Sequence, residues 1–157
     1  GYELNPNSLT EAEREAIKKQ TAFMKEHREL IQMDGDFYRL LSPFEGNETA
    51  WMVVSSDKTQ AVAAFYQRLN KVNASWLRLK LDANTKYEVS CDMAPVTSYD
   101  AKIAEAYGHK TDEDSVKTYQ AYGDELMSAG IPIDREELNK KGGDFASLLY
   151  TLKKVDE

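Results

Sequence analysis

The sequence predicts a mainly β fold: an antiparallel β-sandwich preceded by one long N-terminal α-helix. Up to about Gln32, apolar residues recur at the three-, four- and seven-residue spacings of a helix face. From Asp36 onward, short apolar runs alternate with turn residues, and no helical period recurs between them, which disfavours a parallel βαβ sheet. With 157 residues, 41% of them hydrophobic, the chain is long enough to bury one core.

The N-terminal helix is predicted to run from Thr10 to about Gln32. Thr10 and Glu13 have the spacing of a capping box, and Gly35 is a stop signal beyond the last turn. The apolar stripe is narrow, so the helix should pack on a domain surface. A coiled coil is the alternative, but three heptads are too few to indicate one. The stripe consists of Leu9, Ala16, Ile17, Phe23, Met24, Leu30 and Ile31.

The strands of the sandwich follow from period-two patterns. Residues 51–54 are apolar on both faces, which indicates a deeply buried strand, and an apolar-rich strand is predicted at 61–69. Three later runs alternate between apolar and polar side chains, the pattern of a half-buried strand. Their core-facing positions should be Leu77, Leu79 and Leu81, then Tyr87, Val89 and Cys91, then Ala146, Leu148, Tyr150 and Leu152.

Residues 96–118 interrupt this pattern and are predicted to form an insertion between two strands. Ser98 is placed to cap a short helix from Tyr99 to Tyr107, which Gly108 would end. A polar loop should follow. The insertion is therefore expected to be peripheral.

Charge and cysteine content exclude several classes of function. The net charge of −7 argues against nucleic acid and against an anionic membrane surface, both of which bind basic proteins. No run of 18 apolar residues is present to span a bilayer. Cys91 is the single cysteine, so no intrachain disulfide can form; this favours a reducing compartment, and a cytoplasmic location is predicted.

No catalytic, cofactor-binding or metal site is predicted. Asp124 and Glu125 are adjacent, and on a strand they would point to opposite faces, so they could not flank one glycosidic bond. Asp124 and Asp144 are better explained as acceptors for backbone donors in turns. His27 should be a partly buried packing residue, His109 a solvated one and Cys91 a small core residue, because their spacing fits no metal site.

A set of short motifs resembles a known family. They are Phe-Tyr-Arg-Leu at 37–40, Ser-Pro-Phe-Glu-Gly at 42–46, Tyr-Gly-Asp-Glu-Leu-Met at 122–127 and Asp-Phe at 144–145. In this order they resemble the C-terminal end of bacterial α-galactosidases of glycoside hydrolase family 36, the melibiases. The first four residues and the helix at 8–32 are similar to the end of the catalytic barrel of these enzymes.

The resemblance implies a division of the chain and a role for it. Residues 1–35 would be the barrel end and the last barrel helix, and residues 36–157 the C-terminal β-sandwich. The implied parent is a homo-oligomeric, retaining α-galactosidase that removes terminal α-galactosyl residues from melibiose- or raffinose-type sugars. Its two catalytic aspartates would lie in the barrel upstream of Gly1. This chain would then be non-catalytic, would support the barrel, and would meet the galactoside only through the parent.

Trp76 is the candidate residue for an interface or sugar contact. It lies on the polar face of its strand with Arg78 and Lys80, and indoles stack on sugar rings and anchor interfaces. Burial under the helix or the barrel is the favoured interpretation. A rival function is an independent carbohydrate-binding or protein-interaction module, which an exposed row of aromatic residues along one sheet would favour; the sequence shows only Trp76.

Overall fold

The computed structural model describes residues 3–72, 75–92, 116–140 and 143–156. It has a short 3-10 turn at Pro6–Ser8, three helices, a π-helical turn at Leu30–Asp34 and eight strands within these ranges. In chain order the elements are α1 (Glu11–Glu26), β1 (Gly35–Leu41), β2 (Glu48–Ser55), β3 (Gln60–Gln67), β4 (Trp76–Leu77), β5 (Lys86–Asp92), β6 (Val116–Tyr122), α2 (Gly123–Ser128), β7 (Ile131–Pro132), α3 (Arg135–Lys140) and β8 (Ala146–Lys154).

One six-stranded antiparallel sheet organises the domain. Its strand order is β1-β2-β3-β8-β5-β6, so the last strand of the chain lies in the middle. Ala63 and Cys91, from β3 and β5, each stand opposite Tyr150 of β8. Because β8 pairs with β3 on one side and β5 on the other, the sheet is complete only when the C-terminus is in place.

The main core lies on the inner face of this sheet. Residues directly opposite in antiparallel strands share a face, as Phe65 and Leu148 do. The buried side chains of this core also include Met52 and Tyr87. A smaller second layer covers them, made of the two-stranded sheet β4-β7 with α2 and α3. That layer contributes Leu77, Leu79, Leu81, Leu126, Ile131, Ile133 and Leu138 to the same core.

The mainly β, antiparallel prediction is confirmed, but the predicted strand at 77–81 is only partly a strand. Its alternation is correct, since Leu77, Leu79 and Leu81 are all buried. Only Trp76–Leu77 pairs with another strand. Beyond it, the Leu79 amide donates to the carbonyl of Leu126 in α2 at 3.1 Å. At Leu79 the hydrogen-bond partner is therefore a helix carbonyl and not a neighbouring strand. The alternating burial continues through Leu81 although strand pairing has ended.

One long N-terminal helix is not confirmed. The capping box is present: Glu13 N donates to Thr10 Oγ1 at 3.3 Å, and Thr10 N donates to Glu13 Oε2 at 2.8 Å. The α-helix stops at Glu26, and the π-helical turn Leu30–Asp34 leads into β1. At Gly35 an added Cβ would lie 2.2 Å from the Leu30 carbonyl oxygen, so glycine permits this close approach.

Helix α1 lies on the outer face of the sheet and is attached by its C-terminal end. Leu30, Val53 and Val62 form a small buried cluster there, with Phe23, Ile31, Trp51 and Leu149 packed against it. No residue of α1 itself is buried. Within the described ranges, no helix has the length and apolar character that a bilayer span requires.

Two predicted features meet the structure only in part. In the 122–127 motif, Tyr122 ends β6 and the other residues lie in α2. An added Cβ at Gly123 would lie 1.8 Å from the Asp82 carbonyl oxygen, so only glycine fits at this position. Of the predicted insertion 96–118, residues 116–118 belong to β6, and 96–115 lie outside the described residues. The predicted division between residues 35 and 36 stays a prediction.

Candidate functional site

The two aspartates considered from the sequence, Asp124 and Asp144, accept hydrogen bonds from backbone amides. Asp124 Oδ1 accepts a hydrogen bond from the Glu125 amide at 2.8 Å in the first turn of α2. Asp144 Oδ1 accepts one from the Asn70 amide at 2.6 Å. As the sequence predicted, both aspartates satisfy backbone donors. Asp124 and Glu125, the pair considered from the sequence, lie in helix α2 and not on a strand, so they are not separated onto opposite strand faces.

Of the histidine and cysteine candidates, His27 and Cys91 lie in the described part of the chain, and both are buried. His27 is buried, stacks on the Phe23 ring with 4.3 Å between centroids, and places Nδ1 3.0 Å from the Phe23 carbonyl oxygen. Cys91 is buried on the inner face, and His109 lies outside the described residues. Among the residues with described positions, no three His, Cys, Asp or Glu side chains group as metal ligands would.

A polar cluster that the sequence did not reveal is centred on the Glu48 carboxylate at the start of β2. Glu48 Oε1 lies 2.6 Å from Ser75 Oγ, 2.8 Å from an Arg135 guanidinium nitrogen and 2.8 Å from Lys71 Nζ. Burial raises the pKa of Glu48, but these hydrogen bonds outweigh burial and hold the pKa below the usual 4.5. The carboxylate is therefore charged at neutral pH.

Arg135 extends this cluster across the domain. Its guanidinium also donates to Gln67 Oε1 and to Ser75 Oγ, and the Gln67 amide donates to the Gly143 carbonyl oxygen at 2.7 Å. We call Glu48, Gln67, Ser75 and Arg135 the polar clamp. It joins β2, β3 and α3 at one end of the sheet. The residues are separated by up to 87 positions, so no local pattern could have predicted it.

Trp76, the predicted contact residue, is 57% exposed. It stands opposite Pro132 in the two-stranded sheet, while α1 packs on the outer face of the six-stranded sheet. The sequence favoured burial of Trp76 under the helix or the barrel, and burial under the helix is not observed. A contact with a sugar or with another domain stays a prediction.

An aromatic row absent from the sequence prediction crosses the outer face diagonally. Phe37, Trp51 and Tyr66 lie on neighbouring strands, because Phe37 is opposite Val53 and Tyr66 is opposite Thr49. The Phe37 and Trp51 rings stack with 6.2 Å between centroids. Phe37 and Tyr66 are exposed, and Trp51 is half-buried beside α1. We call these three residues the outer aromatic row.

Comparisons with known proteins show which family the chain is similar to. A family model for the "Glycosyl hydrolase family 36 C-terminal domain" matches residues 48–152. Alpha-galactosidase AgaA of Geobacillus stearothermophilus is 41% identical over 160 residues, covering 100% of this chain and 18% of that enzyme. Alpha-galactosidase Mel36A of Lactobacillus acidophilus is 27% identical over 161 residues, covering 99% of this chain and 17% of that enzyme.

Two solved structures of α-galactosidases superpose on this chain. The crystal structure of AgaA A355E D548N in complex with raffinose superposes with a TM-score of 0.73 at 39% identity, covering 99% of this chain and 18% of that one. The α-galactosidase from Lactobacillus brevis superposes with a TM-score of 0.71 at 33% identity, covering 100% of this chain and 18% of that one. The chain thus spans less than a fifth of the length of these relatives.

Proposed function

The chain belongs to the glycosyl hydrolase family 36 C-terminal domains, and from this membership we propose that it is the non-catalytic β-domain of a larger α-galactosidase. The observation that carries the proposal is a match over the entire chain to a region that makes up only 18% of AgaA. The engagement of Asp124 and Asp144 with backbone donors supports it, since an acid/base pair needs carboxylates that face one bond.

In this proposal the chemistry takes place in the rest of the parent protein. The two catalytic aspartates would lie in a barrel that precedes this chain, and the substrates would be terminal α-galactosides of the melibiose and raffinose type. The raffinose complex of AgaA supports this substrate class. We further propose a homo-oligomeric parent in the cytoplasm, where the buried thiol of Cys91 would stay reduced.

The domain's proposed role is to support the barrel, with residues 1–35 as the barrel end and its last helix. The surface of α1 supports this assignment. Only its C-terminal end reaches the outer cluster, and Met24 on its apolar stripe is exposed. An apolar stripe that the described residues of its own domain cover at one end only is suited to a second packing surface. The uncovered part of the stripe would face the barrel.

A chromogenic α-galactoside assay on this chain and on the longer gene product tests the proposal. We expect the chain alone to be inert and the longer protein to be active. The variant Asp124→Ala in the longer protein should keep its kcat, because Asp124 accepts from its neighbour's amide at the start of a helix. Turnover by the repurified chain that Asp124→Ala abolishes would contradict the non-catalytic assignment.

A second candidate, a carbohydrate-binding module, is favoured by the outer aromatic row. Its exposed rings could stack on sugar faces, and the Arg39 guanidinium lies 5.4 Å from the Phe37 centroid. Affinity electrophoresis in gels containing galactomannan tests this function. Our main proposal predicts no retardation of the chain. Retardation that Phe37→Ala removes and the matched variant Trp76→Ala retains would establish carbohydrate binding on the row.

A further inference from the structure

Three loops meet at one end of the six-stranded sheet, where β1 and β3 end and β2 and β8 begin. Asn47 Nδ2 donates to the Leu69 carbonyl oxygen at 2.6 Å, and the Leu69 amide donates to Asn47 Oδ1 at 2.9 Å. The Phe145 amide donates to the Arg68 carbonyl oxygen at 2.8 Å. The first loop is thus joined to the second, and the second to the third. We call this end of the sheet the loop end.

Large apolar side chains project from these joined loops into solvent. Phe44, in the first loop, is 96% exposed, and Val72, in the second, is 98% exposed. Leu69, in the second loop, and Phe145, in the third, are also exposed. Single exposed apolar residues are ordinary on a protein surface, but a group of them on hydrogen-bonded loops indicates an interaction site. These side chains contribute little to the stability of the domain that carries them.

Phe145 is the most informative of the four. Its φ is +53°, in the left-handed region that glycine, asparagine and aspartate tolerate and bulky residues avoid. The turn is held from within, because the Gly143 amide donates to the Leu138 carbonyl oxygen at 2.8 Å and Gly143 accepts from the buried Gln67. The side chain is nevertheless 79% exposed. Backbone outliers that the surrounding structure maintains concentrate at functional sites.

We propose that Phe44, Leu69, Val72 and Phe145 form a docking surface for another domain of the same longer polypeptide, with Phe145 as the anchor. This inference rests on the proposed function. The similarity covers 18% of AgaA and 17% of Mel36A, so most of each relative lies outside the match, and a longer polypeptide of this kind would supply the domain that docks here. The four side chains are two aliphatic groups and two phenyl rings, a composition closer to the apolar core of a protein interface than to an aromatic sugar platform.

Photo-cross-linking in the longer protein tests the surface directly. Phe145→p-benzoyl-L-phenylalanine places the cross-linker at the proposed anchor. We expect a product that keeps the monomer mass on a denaturing gel and joins residue 145 to a peptide outside this chain. Tyr122→p-benzoyl-L-phenylalanine is the matched control, since Tyr122 is exposed opposite Lys86 at the other end of the sheet. A product of dimer mass, no product, or equal yields from both positions would overturn the proposal.

A second variant separates docking from folding. Asparagine tolerates positive φ, so Phe145→Asn should leave the melting temperature of this chain unchanged or raise it. In the longer protein the same change should accelerate limited proteolysis of this domain by roughly tenfold, as loss of an aromatic anchor weakens an interface. Equal destabilisation of the chain alone would show that Phe145 serves its own fold and would overturn the proposal.

The two hypotheses fail in different ways. An α-galactoside assay on the same cross-linked sample reports the proposed function, and the cross-link reports the surface. An inactive longer protein with the expected cross-link would refute the activity and support the surface. An active one without it would refute the surface alone.

Discussion

At the scale of single residues, the polar clamp is notable for holding two charged side chains that are largely buried. The side chains of Glu48 and Arg135 are 14% and 16% exposed, and each makes several hydrogen bonds to the other members. Charged groups with this degree of burial are stable only when paired. Arg135 Nε is itself buried without a hydrogen-bond partner among the described residues, so the clamp carries an unsatisfied donor.

Replacing Arg135 by methionine should lower the free energy of unfolding by about 2–3 kcal/mol, because Glu48 and Gln67 would lose a buried donor. Urea unfolding at pH 7 measures the change. Lys18→Met is the control, since it removes only an exposed ion pair with Glu15 and should leave stability unchanged. The double variant with Glu48→Gln should lose less than the sum of the single changes. Additive losses would show that the two residues act independently.

The clamp also predicts a dependence on pH. Because the pKa of folded Glu48 lies below the usual 4.5, its contribution to stability is complete above pH 4.5 and is lost as the pH falls through the folded value. The stability difference between the wild type and Glu48→Gln should therefore shrink on acidification. A difference that stays constant down to pH 3 would contradict this assignment.

At the scale of elements, α1 differs from the strands in how it is held. The strands have neighbours along their whole length, whereas α1 contacts the sheet through its C-terminal end and an exposed ion pair, Glu26 with Lys153 at 3.6 Å. An isolated helix of this length is marginal in water. Its first turns therefore depend on the capping box at Thr10.

Hydrogen exchange should show this gradient along α1. Amides of residues 12–20 should exchange much faster than those of β2 in a dilute monomeric sample, because no residue of α1 is buried whereas β2 runs through the core. Thr10→Ala should increase their exchange further, since loss of a cap costs about 1 kcal/mol. Uniform strong protection along α1 would mean that the helix belongs to the core of this domain, and the assignment of residues 1–35 to a barrel would lose its support.

At the scale of the whole molecule, the sheet has two unequal faces. Among the described residues, the second layer packs against the inner face, and cover on the outer face is confined to the region where α1 ends. Leu148 and Leu149 are neighbours on β8 that point to opposite faces; the first is buried in the main core and the second is half-buried in the outer cluster. Because both residues are leucines, the same substitution at each position compares the packing of the two faces.

Leu148→Ala should destabilise the chain by about 2–5 kcal/mol, the usual range for a buried leucine, because it leaves a cavity in a close-packed core. Leu149→Ala should cost less than half as much in this chain, since part of its surface is already in solvent. Chemical denaturation of both variants measures the difference. Equal losses would show that α1 covers the outer face as completely as the second layer covers the inner one.

The sequence by itself determined the mainly β class, the family resemblance and most core positions. Leu77, Leu79 and Leu81 are buried as predicted, and the same is true of Tyr87, Val89 and Cys91. These predictions succeeded because a period of two is imposed locally by strand geometry, whatever the strand pairs with. The capping box at Thr10 was predictable for the same reason, since it depends on residues three positions apart.

The tertiary structure alone decided which strands are neighbours, and with them every surface discussed above. The central position of β8, the outer aromatic row and the loop end all depend on register between strands that are distant in sequence. The polar clamp joins side chains up to 87 positions apart. Trp76 is exposed and Phe145 holds a positive φ for reasons that no local pattern contains. Local periodicity specifies which face of an element is apolar, but only long-range pairing specifies what that face meets.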